Sequence, residues 1–255
     1  MKLFFRKYGE GQPLIILHGL FGQSDNWNSL GKQFSEKGFE VYLVDQRNHG
    51  LSPWNDEWNY KVMSGDILEL MHDNNLQKAI LLGHSMGGKS AMHFAINHCE
   101  KISKLIVVDI APKKYLTAND GVLDGLLAID FEKVKSRKEV EKFLSNHISD
   151  NGTKLLLQKN LYWIEENKLA WRFNLEVISK NRNVVGDTFD VENKNCDKPT
   201  LFLRGGKSKY ILDSDFSEIK KLFPNSELKI IKDAGHWIHS DKPKEFFEEV
   251  MKFIA

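Results

Sequence analysis

Short runs of apolar residues alternate with amphipathic stretches along most of the chain. Six runs rich in β-branched and aliphatic residues predict strands, at residues 14–18, 40–45, 78–83, 104–110, 199–205 and 227–232. Helical spacing of apolar residues predicts helices, at about 26–37, 60–74, 85–98, 213–222 and 242–254. The first four strands are apolar almost throughout, which is typical of a sheet covered by helices on both faces. The alternation predicts an α/β fold with a doubly wound, mostly parallel sheet.

One long segment interrupts this alternation. It contains no strongly apolar strand, but the stretch RKEVEKFLSNHI (137–148) has the spacing of an amphipathic helix. The stretch LYWIEENKLAWRFN (161–174) predicts two short runs joined by a polar turn. An insertion between two strands of an open sheet is most simply a lid over the carboxyl edge, where ligands bind. We therefore expect a core of residues 1–111 and 191–255 and a mainly helical lid of residues 112–190.

Composition adds few constraints to this picture. The chain has 255 residues, which suits one large domain. Its 36 Lys and Arg residues balance 35 Asp and Glu residues, so no excess of charge predicts nucleic-acid binding. No apolar run approaches the ~20 residues that span a bilayer, and the N-terminus lacks the apolar run of a signal peptide. Cys99 and Cys196 have no metal-ligand spacing, and we expect them to be free thiols in a cytoplasmic protein.

The stretch GHSMG (83–87) places a serine between a predicted strand and a predicted helix. It fits the G-x-S-x-G nucleophile elbow, in which a sharp turn exposes the serine oxygen at the tip of the sheet. Ser85 is therefore the candidate nucleophile, and the N–H of Met86 points at the same spot. The stretch HGLFG (18–22) follows another strand and can present the N–H of Leu20 there. The two N–H groups would form an oxyanion hole.

A candidate base lies in the loop DAGHWIHSDKP (233–243), between the last predicted strand and the last predicted helix. The loop is at the carboxyl edge of the sheet, where His236 can reach Ser85. The other histidines lie in predicted helices, in the lid or in turns, and only His239 is a close rival. His239 leads into the last helix, and we expect it to be a capping or surface residue.

Five stretches carry a resemblance to a known family: HGLFG, DQRNHGLS, GHSMGGK, VVDIAP and GHWIHSDKP, in this order. With them the chain resembles the α/β-hydrolase superfamily and, more narrowly, the YbfF-like esterases, a group of small capped carboxylester hydrolases. The resemblance implies the order nucleophile, acid, base, with Ser85 first and His236 last. It also implies an acid in VDIAP, a serine in the turn RGG-x-S, and short to medium acyl esters or acyl-CoA thioesters as substrates.

The position of the acid departs from the common pattern of the superfamily. Most members carry it in a G-x-x-D turn after the next-to-last strand, but here the turn RGGKSKY has Ser208 at that position. A hydroxyl cannot stabilise an imidazolium as a carboxylate does. Asp213 and Asp215 lie just beyond and remain alternatives, although Asp213 suits a helix N-cap. Asp109 ends an apolar strand, and since neighbouring strands lie about 4.8 Å apart, its carboxylate can reach the same histidine. We predict Asp109 as the acid and Ser208 as an auxiliary partner near His236.

Together these residues predict hydrolysis of a small-molecule ester or thioester through an acyl-enzyme, without a metal or an organic cofactor. Phe21, Trp163, Trp171 and Trp237 are the predicted substrate contacts in an apolar pocket, although the lid aromatics could instead form the lid's own core. Two other functions stay open: a carbon–carbon bond hydrolase or lyase of the same fold, and a non-catalytic ligand-binding module.

Overall fold

The computed structural model describes residues 1–116, 120–166, 168–188 and 194–255. In chain order its strands are β1 (Phe5–Tyr8), β2 (Gln12–Leu17), β3 (Phe39–Val44), β4 (Ala79–His84), β5 (Ile102–Val108), β6 (Leu161–Glu165), β7 (Lys168–Trp171), β8 (Thr200–Gly205) and β9 (Ser226–Ile231). Its α-helices are α1 (Asn28–Ser35), α2 (Tyr60–Asp73), α3 (Met86–Asn97), α4 (Asp120–Leu127), α5 (Arg137–His147), α6 (Asn151–Lys159), α7 (Leu175–Lys180), α8 (Asn183–Gly186), α9 (Phe216–Leu222), α10 (Ile238–Asp241) and α11 (Pro243–Ile254).

Seven strands form one sheet in the order β1-β3-β2-β4-β5-β8-β9. Its neighbours pair in parallel, except that β1 runs antiparallel to β3. The predicted site residues follow the strands β2, β4, β5, β8 and β9, which are successive neighbours in the sheet. Their carboxyl ends therefore meet at one edge. The predicted doubly wound, mostly parallel sheet is confirmed.

Two apolar cores lie on opposite faces of this sheet. On β2, Ile15 and Leu17 pack into one core while Leu14 and Ile16 pack into the other, because successive side chains of a strand point to opposite faces. α2 and α3 cover the first face, and α1 and α11 cover the second. The four β2 side chains, Leu14 to Leu17, are almost fully buried. Burial of such a side chain stabilises the folded state by about 1.5–3 kcal/mol. This explains why the central strands are apolar throughout.

The chain between β5 and β8 carries α4 to α8 and the two-stranded sheet β6-β7. Its buried residues, among them Leu123, Val140 and Leu157, join the core on the α2 and α3 face. The predicted amphipathic helix is α5, which begins after Ser136, whose side chain accepts a hydrogen bond from the N–H of Glu139. The two predicted short runs form an antiparallel hairpin. None of the helices in the described ranges combines the length and the apolar character needed to cross a membrane.

The prediction of two free thiols is wrong. Cys99 and Cys196 form a disulfide, with 5.4 Å between their Cα atoms. Cys99 lies just before β5 and Cys196 just before β8, and these two strands are parallel neighbours. The residues that precede neighbouring parallel strands meet at the same edge of a sheet. The separation of 97 residues conceals this pairing in the sequence, because strand order is not visible there.

Candidate active site

Ser85 lies in a sharp turn between β4 and α3, with φ 52° and ψ −118°. A positive φ is costly for a residue with a side chain, and such strain persists only where the surroundings hold it. The Ser85 N–H donates to the carbonyl of Val108 at 3.0 Å. The flanking glycines allow close approach: a Cβ on Gly83 would lie 2.2 Å from the Gly87 carbonyl oxygen, and one on Gly87 would lie 2.5 Å from that of His18. The turn exposes the Ser85 side chain at the carboxyl edge of the sheet.

His236 lies in the loop between β9 and α10, and its ring reaches both other predicted members of the site. Nε2 is 3.0 Å from Ser85 Oγ, and Nδ1 is 2.7 Å from Asp109 Oδ2. Because a carboxylate only accepts hydrogen bonds, Nδ1 carries the proton in this contact. Nε2 then has a free lone pair toward the Ser85 hydroxyl. The structure thus brings together three side chains that lie far apart in the sequence.

The Asp109 carboxylate is fully buried just beyond the end of β5. Besides the His236 ring, it accepts the N–H of Gly205 at 3.1 Å and the hydroxyl proton of Ser208. Ser208 in turn accepts the N–H of Tyr210 at 3.2 Å. Ser208, which occupies the aspartate position of the common pattern, therefore contacts the carboxylate instead of replacing it.

The two alternative acids are engaged elsewhere. Asp213 forms an ion pair of 2.6 Å with Arg204. Asp215 forms one of 2.6 Å with Lys113 and accepts the N–H of Leu212 at 2.8 Å. Neither carboxylate contacts the His236 ring in a described hydrogen bond.

The turn after β2 lies beside the Ser85 side chain. Gly22 donates its N–H to the Gly19 carbonyl at 2.9 Å, and Phe21 has φ 59°. The side-chain amide of Asn160, at the end of α6, donates to the Phe21 carbonyl at 2.6 Å. This contact fixes a strained turn from the opposite side, and the sequence contained no signal for it. Leu20 lies at the second position of the turn, next to the cavity described below.

A cavity of about 600 Å³ opens above Ser85. Its lining includes most of the predicted site residues, namely Leu20, Phe21, Ser85, Met86, Ser208, His236 and Trp237. Apolar residues of the segment between β5 and β8 line the opposite side, among them Leu123, Ile178 and Val185. In the described ranges, no group of three or more His, Cys, Asp or Glu side chains could hold a metal ion.

Two predicted substrate contacts lie away from this cavity. Trp163 is 45% exposed on β6 and lines a separate shallow depression. Trp171 is buried, stacks on Phe173 with ring centroids 5.2 Å apart, and meets Phe131 edge-on. Trp171 therefore belongs to the core of the inserted segment. Side chains alternate between the two faces of the β6-β7 hairpin, so the hairpin register decides which face Trp163 and Trp171 occupy. The sequence does not show this register.

Tyr210 is a site residue that the sequence analysis missed. Its ring stacks on the His236 ring with centroids 4.0 Å apart. Tyr210 also lines the cavity. The only signal was its place two residues after Ser208, in the turn RGGKSKY.

Buried histidines surround the site, and they include His239. The expectation that His239 is a capping or surface residue is wrong, because it is only 8% exposed and stacks on Trp27 at 4.1 Å. Burial lowers its pKa to about 3. Burial also lowers the pKa of His84, whose Nε2 lies 2.9 Å from the His236 carbonyl oxygen. A neutral His84 ring can donate its Nε2 proton to that carbonyl and so support the backbone of His236.

These histidines predict a marked loss of stability in mild acid. Burial lowers the pKa of His18 to about 4 and those of His49 and His239 to about 3, against 6.5 in the unfolded chain. Between pH 6.5 and about 4 the unfolded chain therefore binds more protons, and the free energy of unfolding falls as the pH falls. Each histidine contributes at most about 1.4 kcal/mol per pH unit.

Urea unfolding at pH 6.5 and 4.5 measures this effect. His239→Phe keeps an aromatic ring beside Trp27 and removes the titrating group. Between pH 6.5 and 4.5 the free energy of unfolding of this variant is expected to fall by about 2–3 kcal/mol less than that of the unsubstituted protein. His72, which is 88% exposed, provides the control. His72→Gln should follow the unsubstituted protein. An equal fall in His239→Phe would contradict the prediction.

Comparisons with known proteins identify the family of this chain. Residues 12–243 match the family model described as alpha/beta hydrolase fold. The chain is 37% identical over 249 residues to sn-1-specific diacylglycerol lipase ABHD11 of Mus musculus, which covers 95% of this chain and 80% of the relative. It is 30% identical over 244 residues to Esterase YbfF of Escherichia coli strain K12. This match covers 95% of this chain and 92% of the relative. A solved structure described as a marine microorganism esterase has 41% identity, a TM-score of 0.96 and full coverage of both chains. The chain therefore belongs to the α/β-hydrolase family, and within it to the YbfF-like esterases.

Proposed function

We propose that this protein is a serine carboxylester hydrolase that acts through Ser85, His236, Asp109 and a covalent acyl-enzyme. The observation that carries the proposal is the hydrogen-bonded chain of these three side chains, with separations of 3.0 and 2.7 Å, at the base of the cavity. Such a chain activates a serine because the base is held in the correct tautomer and its developing charge is offset. The relatives described as esterases and a lipase support the same chemistry.

In the first step, His236 Nε2 takes the proton of Ser85 Oγ as that oxygen bonds to the carbonyl carbon of the ester. The carbonyl π electrons move to the oxygen, where the N–H groups of Leu20 and Met86 stabilise the negative charge. Asp109 stabilises the imidazolium through the Nδ1 proton. The tetrahedral intermediate then loses its leaving oxygen or sulfur, which receives the proton from His236.

In the second step, water repeats the attack on the acyl-enzyme. His236 accepts a proton from the water as its oxygen bonds to the acyl carbon. The oxyanion again lies at the same two N–H groups. Collapse breaks the bond to Ser85 Oγ, which takes back the proton and releases a carboxylic acid. The cycle needs only water besides the ester.

The shape of the cavity supports a small ester or thioester as substrate. Its volume of about 600 Å³ lies within the range of small-molecule sites. Phe21 and Trp237 flank Ser85 and His236, and apolar residues of the inserted segment face them. We further propose that residues 112–190 act as a lid on a core of residues 1–111 and 191–255. A cytoplasmic location remains a prediction from sequence, and the Cys99–Cys196 disulfide weighs against it, since cytosolic thiols are kept reduced.

Covalent labelling combined with a substrate panel tests the proposal. A fluorophosphonate probe should add to Ser85 in a one-to-one ratio, as located by peptide mass spectrometry, and Ser85→Ala should not react. p-Nitrophenyl esters and CoA thioesters of increasing acyl length should be hydrolysed, and the panel shows which leaving group is preferred. Turnover of a diketone without cleavage of any ester would favour a carbon–carbon bond hydrolase. Neither labelling nor turnover would favour a ligand-binding module.

A further inference from the structure

Lys89 is a fully buried lysine on the helix that begins beside Ser85. The backbone N–H of Lys89 donates to the Ser85 carbonyl at 3.0 Å, so Lys89 lies one turn into α3. The sequence pattern GHSMGGK contains it, but the proposed chemistry does not use it. A buried charge requires partners, since its transfer from water is otherwise very unfavourable.

The Lys89 ammonium finds its partners at both ends of the inserted segment. Nζ donates to the carbonyl of Lys113 at 2.8 Å, just after β5. It also donates to the carbonyls of Gly186, at 3.1 Å, and Asp187, at the end of α8. An ammonium has three N–H donors, and here three main-chain acceptors receive them. A neutral amine would have only two donors and would turn a lone pair toward a carbonyl oxygen.

Tyr115 connects this ammonium to the His236 ring. The ammonium lies 4.8 Å from the centroid of the Tyr115 ring, and the Tyr115 N–H donates to the Gly186 carbonyl at 2.7 Å. The Tyr115 hydroxyl accepts the N–H of Ala111, two residues after the predicted acid, at 2.8 Å. The same hydroxyl donates to the carbonyl of Tyr210 at 2.5 Å. The Tyr210 ring is the one that stacks on His236.

Burial of the ammonium is unfavourable in itself. Desolvation lowers the pKa of Lys89 to about 7, while the Asp187 carboxylate raises it. Other charged groups nearby include Lys113, paired with Asp215, and Lys114, which lies 3.7 Å from Asp187. An apolar side chain of the same length would fill this space without the desolvation cost. What the ammonium adds to such a side chain is its three donors to main-chain carbonyls.

We propose that Lys89 is a positioning residue for the proposed ester hydrolysis. It fastens both ends of the segment between β5 and β8 to the helix of Ser85. It thereby holds the Tyr115 hydroxyl where that group fixes Ala111 and Tyr210 around the acid and the base. The inference rests on the proposed function, because its catalytic readout is the turnover of an ester.

Lys89→Met tests the inference, because it removes the donors and keeps an unbranched side chain. Its kcat on p-nitrophenyl acetate should fall about tenfold to a hundredfold with KM within about twofold, since small displacements of catalytic groups reduce kcat. Lys104 provides a matched control, as its ammonium donates to the Phe253 carbonyl at 2.7 Å and lies 5.6 Å from the Phe253 ring. Lys104→Met should keep the kcat of the unsubstituted enzyme.

Hydrogen–deuterium exchange gives a readout independent of turnover. In Lys89→Met the amides of Ala111 and Tyr115 should exchange faster than in the unsubstituted protein or in Lys104→Met. In Tyr115→Phe only the Ala111 amide should accelerate, because the Tyr115 amide keeps its bond to Gly186. Tyr115→Phe should also lower kcat at unchanged KM. If Lys89→Met does not fold, full activity of Tyr115→Phe still overturns the connection to His236 on which the proposal depends.

The outcomes separate this inference from the proposed function. An unsubstituted protein that neither hydrolyses esters nor labels at Ser85 overturns the proposed function, and the exchange rates still decide whether Lys89 fastens the segment. An active protein whose Lys89→Met variant keeps kcat within about twofold overturns the positioning role. Unchanged exchange at Ala111 and Tyr115 in that variant overturns the fastening, and full activity of Tyr115→Phe overturns the connection to His236.

Discussion

Asp109→Asn is expected to lower kcat by about four orders of magnitude, as loss of the correct tautomer does in other serine triads. An asparagine amide donates toward His236 Nδ1, so the ring proton moves to Nε2. The nitrogen that faces Ser85 at 3.0 Å would then carry a proton and could not accept another. The variant should bind substrate with little change, since Asp109 is fully buried behind the His236 ring. Steady-state kinetics on a p-nitrophenyl ester measures both parameters.

Two further variants identify the source of that loss. Ser208→Ala removes one hydrogen bond to the carboxylate and leaves the His236 contact, so its kcat should fall about tenfold at most. Asp213→Asn should be fully active, because Asp213 is 88% exposed and pairs with Arg204. A nearly normal Asp109→Asn enzyme together with an inactive Asp213→Asn or Asp215→Asn enzyme would assign the acid to the later aspartates.

Ser85→Gly is expected to abolish turnover and at the same time to give a more stable protein than Ser85→Ala. Loss of the nucleophile lowers kcat by about six orders of magnitude in a serine protease with the same three residue types. The backbone at Ser85 has φ 52° and ψ −118°, which glycine adopts without the strain that a Cβ creates. Such strain amounts to about 1–3 kcal/mol, and greater freedom of glycine in the unfolded chain offsets part of it.

The comparison of the glycine and alanine variants isolates the strain, because both lack the hydroxyl. We expect a difference of about 1 kcal/mol in the free energy of unfolding, measured in urea at pH 7. Gly65 lies on the exposed side of α2, where an added Cβ would meet no atom within 4 Å. Gly65→Ala should therefore stabilise the protein, since alanine favours a helix more than glycine does. Equal stabilities of Ser85→Gly and Ser85→Ala would mean that the turn is not strained. Residual turnover in both would reassign the nucleophile.

The sequence predicted where those candidate residues lie whose position depends on neighbouring elements of the chain. The elbow around Ser85 needs small residues on both sides within five positions, and its strand and helix are adjacent in the chain. His236 follows the last strand directly, so its place at the sheet edge follows from the alternation of elements. Asp109 could be proposed because the parallel sheet brings the ends of neighbouring strands together. The family resemblance narrowed the choice among the aspartates.

Features that depend on the packing of distant segments could not be predicted. The Cys99–Cys196 disulfide requires the strand order, in which β5 and β8 are neighbours. The exclusion of Trp163 and Trp171 from the cavity requires the register of the hairpin. The hydrogen bond from Asn160 to the Phe21 carbonyl, in the turn after β2, joins residues 139 positions apart. Each of these contacts depends on how the segment between β5 and β8 folds back, and no local pattern specifies that path.

The disulfide has an evolutionary consequence that follows from its location. Cys99 and Cys196 lie on either side of the inserted segment, so the covalent bond closes the chain beneath it. Insertions or deletions between them lengthen or shorten a ring without separating the two strands at its base. An inserted segment of different length is therefore compatible with the same pair of neighbouring strands. The strand order of the core that carries Ser85 can thus stay the same while the inserted segment changes.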